Sequence, residues 1–244
     1  MKNSYRIQKL IQAVPSSASV LDVGCDHGLV SLGLAERSDI QRILATDISA
    51  ASLQKLQNAL PSLPVEVRAK IRTCVADGLV GIPWEKADAV VIAGMGGSLM
   101  CRILAVPQVR SIWESAQLIL LPHNDTAAVR KFLLGQRFAI DDEWVFFDGG
   151  HYYEILQARP LRSEETVPAY TSTELQYGAQ PLRRCDPALC KHLMQQIKEY
   201  RMILKNLPKN SESAQVRRIN VEHDLNAAQQ IFKWLEGSKE ESLC

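Results

Sequence analysis

The chain has 244 residues, 46% of them apolar and 23% charged, with a formal net charge of +1. That length allows one sizeable core plus an appendage, and the composition is ordinary for a soluble globular protein. Up to residue 161 there are 16 basic and 16 acidic residues, and beyond it 12 and 11, so a global basic field is excluded and any nucleic-acid surface must be local.

No run of 18 apolar residues occurs and Met1-Lys2-Asn3 does not open a signal peptide, so a cytoplasmic protein without a membrane partner is expected. The six cysteines, at 25, 74, 101, 185, 190 and 244, have no Cys-x-x-Cys spacing and read as free or buried thiols; no metal is expected.

In chain order, Ile7, Leu10 and Ile11 predict a short amphipathic helix over 5–13. Strand 1 is 19–23, with a helix over about 28–36 after it. Strand 2 is 43–46, closing on Asp47, and a helix over 49–59 follows with Ser49 as N-cap. Strand 3 is 71–76, closing on Asp77-Gly78. Strand 4 is 89–93, closing on Gly94-Met95-Gly96-Gly97. Strand 5 is 117–121, then Pro122-His123-Asn124-Asp125 and a helix over 126–136. The run 138–147, the turn Asp148-Gly149-Gly150 and the run 151–158 read as a hairpin. Continuous apolar strands between helices imply an α/β fold, a Rossmann-like sheet that is parallel except for one antiparallel strand added by the hairpin.

After Pro160 the pattern changes, which divides the chain into 1–160 and 161–244. Residues 161–185 are polar and turn-rich. Asp186-Pro187 starts a helix with a stripe at Leu189, Leu193, Ile197, Tyr200, Leu204 and Leu207. Pro208-Lys209-Asn210-Ser211 breaks it, and a second stripe runs through Ala214, Val221, Leu225, Ala228, Phe232 and Leu235. Two such stripes predict a coiled-coil-like helical hairpin, with residues 236–244 frayed.

The chemistry sits at strand ends. Val20-Leu21-Asp22-Val23-Gly24-Cys25-Asp26-His27-Gly28 is an apolar run ending in an acidic, glycine-containing turn before a helix. Such a turn brings a nucleoside-bearing cofactor to the first strand of an open sheet. Asp26 would repel a pyrophosphate and attract an ammonium or hydroxyl group, which favours S-adenosyl-L-methionine over a dinucleotide; a plain structural turn is the bland alternative. Asp26, Asp47 and Asp77 end three successive strands, on the edge where ligands bind. Asp47 is placed to accept from ribose hydroxyls and Asp77 from an adenine amine, although each could instead cap the next helix. The three glycines in residues 94–97 suggest that backbone passes close to something.

The segments Asp22–Gly28 and Ala93-Gly94-Met95-Gly96-Gly97, with a helical hairpin after the sheet, closely resemble the bacterial tRNA (adenine-22-N1)-methyltransferases, class I enzymes that use S-adenosyl-L-methionine. The resemblance spans nearly the whole chain. It implies methyl transfer to N1 of adenine 22 of tRNA, with tRNA as partner. Carried over by motif position, Gly24, Asp26, Gly28, Asp47, Ile48, Asp77, Gly78, Ala93 and Gly94 line the cofactor site, and Asp26, His27 and Met95 face the target base. The family's Gln-Pro-Asn after strand 5 is Leu121-Pro122-His123-Asn124 here, and its aromatic residue after the first loop is Leu29.

Adenine N1 has an in-plane lone pair and needs no base, so alignment is the main task. Methylation leaves a cationic ring, which a carboxylate or neutral imidazole stabilises; Asp26 and His27 are the candidates. The absence of an Asn-Pro-Pro-Tyr sequence favours a ring nitrogen over an amino group. Position 22 lies within folded tRNA, so the base must leave its stack. Arg6, Asn124 and the Tyr152-Tyr153 pair are candidate contacts near the site, with ordinary strand packing the alternative for the tyrosines, and Arg183, Arg184, Arg217 and Arg218 on a basic hairpin face are candidates for the RNA backbone, where a solvated helix face is the alternative. The expected species is a monomer or weak dimer. A class I methyltransferase acting on another RNA or a small molecule, or a noncatalytic nucleotide-binding adaptor with a dimerising hairpin, also fits the residues. A Rossmann dehydrogenase ranks last, for want of the second glycine that a pyrophosphate requires.

Overall fold

The structure, a computed structural model, describes residues 4–16, 19–208 and 211–241. Met1-Lys2-Asn3, Lys209-Asn210 of the expected helix break and the last three residues, Cys244 included, lie outside the described residues.

Seven strands and eleven α-helices follow in the order α1 (Tyr5–Ala13), β1 (Ser19–Val23), α2 (Leu29–Ala35), β2 (Arg42–Asp47), α3 (Ala50–Ala59), α4 (Val65–Arg68), β3 (Ile71–Val75), β4 (Ala89–Met95), α5 (Gly97–Ala105), α6 (Arg110–Trp113), β5 (Gln117–Pro122), α7 (Thr126–Gly135), β6 (Phe138–Asp148), β7 (His151–Pro160), α8 (Ser172–Tyr177), α9 (Ala179–Arg183), α10 (Pro187–Asn206) and α11 (Glu212–Glu241) among the described residues. The strand order is β3-β2-β1-β4-β5-β7-β6. The first five strands pair in parallel, and β7 alone runs antiparallel to its neighbours β5 and β6. This is the expected Rossmann-like sheet with one antiparallel strand. Both residues of the β6–β7 turn, Gly149 and Gly150, have positive φ, which a tight two-residue hairpin requires.

Side chains alternate across the sheet with period two, so the apolar strands feed two cores. Val20, Ile43, Val91 and Ile119 face Leu10 of α1, Leu34 of α2 and Leu53 of α3. Leu21, Leu44, Val90 and Leu118 face Met100 and Leu104 of α5, Trp113 of α6 and Leu133 of α7. Asp22 shares its face with Val20 and so points toward α1 and α2, where the Ser31 hydroxyl donates to its Oδ2 at 2.6 Å.

The helical hairpin forms a third cluster: Leu189, Leu193 and Ile197 of α10 bury with Ala228 and Leu235 of α11 and with Tyr177, Leu182 and Val145. Its root therefore rests on β6 through α8 and α9. These two helices occupy a stretch read as turn-rich, and α8 opens with a capping box in which Thr171 and Glu174 exchange hydrogen bonds. The fully buried Arg130 of α7 fastens the same region: it bonds Glu143 of β6 at 2.6 Å, Glu154 of β7, and the Leu175 and Gln176 carbonyls of α8. The expected fraying from residue 236 is not observed as far as Glu241, because α11 continues to that residue.

Candidate active site

Parallel strands end on one edge, and there the loops after β1, β2 and β3 lie side by side. The first loop turns sharply, with Gly24 at φ +70°, Asp26 at +50° and Gly28 at +72°. Left-handed backbone is costly for residues with a Cβ, and glycine or aspartate bears it best. The turn directs the Gly24 and Cys25 amides to the Thr46 carbonyl, at 2.8 and 2.9 Å, and the Asp26 amide to Asp47 Oδ2 at 2.9 Å. Asp47 Oδ1 accepts the Ser49 amide at 2.8 Å. A carboxylate has about four lone-pair sites, so Asp47 fixes both loops and keeps capacity for hydroxyl donors. The exposed Asp77 comes next along the edge, where the Ala76 amide bonds the Asp47 carbonyl at 3.0 Å. Ile48, at 71% exposure, presents an open apolar face between them.

Beside this rim is a cavity of about 300 Å³, walled by the Gly24–Leu29 loop, Ala93 and Gly94 of β4, Leu121, His123, and Arg6 and Leu10 of α1. The structure thus brings Gly24, Asp26, His27, Ala93 and Gly94 together in one wall, with Arg6 opposite. Gly28 is buried just behind, where a Cβ would strike Leu56. Asp47, Ile48, Asp77 and Gly78 lie along the rim rather than in the wall. Met95 covers Gly24: a Cβ there would sit 2.7 Å from Met95 Cε.

The three glycines after β4 divide by cause. Gly94, at φ +77°, sits at a register shift between β4 and β5 with open space before it, so this backbone is available to a ligand. Gly96 and Gly97 are small because Asn124 and Asp125 cross above them; a Cβ on Gly97 would lie 2.7 Å from the Asn124 carbonyl. Asn124 thus stands against the Gly96-Gly97 turn.

Burial sets the charge states. Asp22, 2% exposed and bordering the cavity, has its carboxyl pushed up to about 6 by desolvation, against the lowering effect of the Ser31 bonds. The same burial, with the Asp22, Asp47 and Asp26 carboxylates nearby, drives the Cys25 thiol up, so it stays protonated and unreactive. His123 is held below the ordinary imidazole range by desolvation and then by the Arg6 guanidinium, so it is neutral at neutral pH. Arg6 is itself held by Tyr153, whose hydroxyl accepts from Arg6 Nη1 at 3.1 Å, and Tyr153 is stacked on Phe146. At the mouth, His27 Nδ1 lies 3.3 Å from Asp26 Oδ1 with both side chains open to solvent.

The four hairpin arginines are not gathered on one patch. Arg183 pairs with Glu174 at 3.6 Å, and Arg184 is engaged by Asp142 and by the Glu143 carbonyl. Arg217 borders a groove beside Met202 and Asn206, and Arg218 reaches the Leu207 carbonyl at 3.4 Å. Asp22 and His123 were not singled out from the sequence. A lone acid inside an apolar strand was the readable signal for Asp22; His123 carried none, because its role depends on Arg6, more than a hundred residues away.

Residues 3–156 match the family described as Methyltransferase domain. The chain belongs to that family. It is 28% identical over 158 residues to the tRNA (adenine(22)-N(1))-methyltransferase of Bacillus subtilis (strain 168), covering 65% of each chain. The match thus spans slightly less than two thirds of that relative's length. Among solved structures it is similar to Streptococcus pneumoniae Sp1610, described as a candidate tRNA (m1A22) methyltransferase, at 25% identity, TM-score 0.79, and 94% and 99% coverage of the two chains. M. capricolum TrmK bound to S-adenosyl-homocysteine shares the fold at 16% identity, TM-score 0.79, and 96% and 99% coverage. These relatives are of the kind to which the two motifs pointed. No helix among the described residues is long and apolar enough to cross a membrane.

Proposed function

We propose that this chain transfers the methyl group of S-adenosyl-L-methionine to N1 of adenine 22 in tRNA. The observation that carries the reading is the acidic rim at the ends of β1, β2 and β3, where Asp26 and Asp47 are joined by a 2.9 Å bond and Asp77 follows. Such a rim suits hydroxyl, amine and ammonium donors and rejects a pyrophosphate. The tRNA target is supported by the names of the aligned relatives.

The residues present fit the cofactor. Asp47 would take the ribose hydroxyls, Asp77 the adenine amine, Ile48 and Gly78 the adenine faces, and the loop with Asp26 the methionine end, with Gly94 leaving backbone room. When bound, S-adenosyl-L-methionine supplies an activated methyl group on a sulfonium. The protein's part is alignment and electrostatics. Asp26 and His27 would offset the positive charge that grows on the methylated ring. Neutral His123 can accept from an adenine amino group without adding charge, and burial, then Arg6, keep it neutral. Met95, lying over Gly24, supplies an apolar surface between donor and acceptor.

The test is incubation with labelled methyl donor and unmodified tRNA transcripts, followed by primer extension. N1-methyladenine blocks the pairing edge, so a stop at position 22 is expected. Labelling without that stop would refute the target, and absence of labelling the activity.

A further inference from the structure

Where the sheet meets the hairpin there is a trough that shares only His123 and Tyr153 with the methyl-transfer site proposed above. It begins at His123, which also walls the cofactor-side cavity, and runs past Tyr153, Tyr152 and His151 of β7 to His192, Gln195 and Glu199 of α10, enclosing about 430 Å³. Its walls are flat rings. Tyr152 and His192 stack with centroids 4.6 Å apart and planes 13° from parallel, joining β7 to α10, and Tyr153 meets His123 edge-on at 6.4 Å.

Size and charge narrow what fits. His192 and Glu199 are seven residues apart on one helix, about 10 Å at 1.5 Å per residue, whereas stacked nucleotides follow at about 3.4 Å. The interval is therefore one for a base lying in its plane between the two side chains, not for the thickness of a stack. Its far wall is acidic: Glu199 accepts from Gln195 Nε2 at 2.8 Å, and among the described residues no other side chain donates to it. Among the described residues no lysine or arginine borders the trough, so it offers a phosphate no guanidinium or ammonium partner, and the Glu199 carboxylate suits an N–H-bearing edge. Past Glu199 the surface continues along α10 over Met202 and Asn206 to Arg217, a cation spaced to meet the backbone instead.

We propose that the trough holds a second nucleobase of the RNA, a neighbour of the methylated one, with its ring against the Tyr152–His192 wall and an exocyclic amine donating to Glu199. The inference rests on the function proposed above and adds a second base-reading position to it. Aromatic stacking holds any base, and the carboxylate selects those that carry an amine.

The experiment uses the full chain and tRNA transcripts, with kcat, KM and cofactor affinity measured separately. Glu199→Gln keeps the shape and the Gln195 contact, and is expected to raise KM for tRNA about tenfold with kcat and cofactor affinity unchanged. Tyr152→Leu should act likewise, and Tyr152→Phe should restore the wild-type KM. Wild-type enzyme should lose about tenfold in kcat/KM on a transcript with an amine-free analogue beside position 22, and Glu199→Gln should lose nothing further on it. Unchanged KM in both Glu199→Gln and Tyr152→Leu would overturn the trough alone, as would losses that appear in cofactor affinity instead. A wild-type chain that binds the cofactor but methylates no tRNA would overturn the proposed function and this inference with it.

Discussion

Asp22→Asn tests whether a strained charge state is built into the cofactor cavity. The carboxyl is 2% exposed and its folded value, about 6, lies about two units above the ordinary 3.8. At about 1.36 kcal/mol per unit, the shift corresponds to about 3 kcal/mol of folding stability forgone when the group is ionised. The sign follows from the raised value: the native state holds the proton more tightly than the unfolded chain. Stability attributable to this group is therefore full below about pH 4 and lost as pH rises through about 6. Asparagine cannot ionise and still accepts from Ser31 Oγ through its Oδ1, although its amide nitrogen only donates and cannot replace the second carboxylate oxygen as an acceptor. Urea denaturation of the cofactor-free protein between about pH 4 and 8 should therefore show the variant gaining on the wild type by about 1–3 kcal/mol as pH rises. Cofactor affinity should fall about tenfold or more at neutral pH, because a negative wall is lost. A stability difference that stays flat across that interval would refute the assignment of the charge cost to Asp22.

Asp47→Ala removes the acceptor of the Asp26 and Ser49 amides, so both cofactor affinity and stability should drop, the latter by about 1–3 kcal/mol; titration calorimetry and thermal melts read them separately. Arg130→Met leaves Glu143 buried without its cation and should cost about 3–5 kcal/mol in chemical denaturation, part of which Arg130→Met/Glu143→Gln should recover. Arg217→Glu should weaken tRNA binding and reduce the magnitude of the slope of log affinity against log salt by about one or more. Arg184→Glu, whose side chain is engaged by Asp142 and Glu143, should lower stability before it alters that slope.

The sheet was legible because its parallel strands are short, mostly apolar runs, and the first four stop at an acid or a glycine. The region between residues 161 and 185 was read as turns since its apolar residues are few, yet Thr171 and Glu174 had the spacing of a capping box and marked α8. The glycines at 94–97 were read as backbone passing close to something, and for Gly96 and Gly97 that neighbour is the Asn124 side chain and the Asn124–Asp125 backbone. The Arg130–Glu143–Glu154 cluster and the Arg6–Tyr153–His123 wall join residues from separate elements, and neither period nor spacing encodes such contacts.

The order of the last two strands bears on how the protein is made. β7 is the final strand in the chain but lies between β5 and β6. During synthesis the growing polypeptide can align its first five strands while the Leu118–Leu120 edge still offers unpaired amides and carbonyls to any passing strand. That border is closed only when residues through Ala158 leave the ribosome, and the same event delivers Tyr153 to Arg6. The Arg6–Tyr153 side of the cleft is therefore born last. A ribosome that stalls before that point would release a chain that holds the donor loops but is open to aggregation along β5.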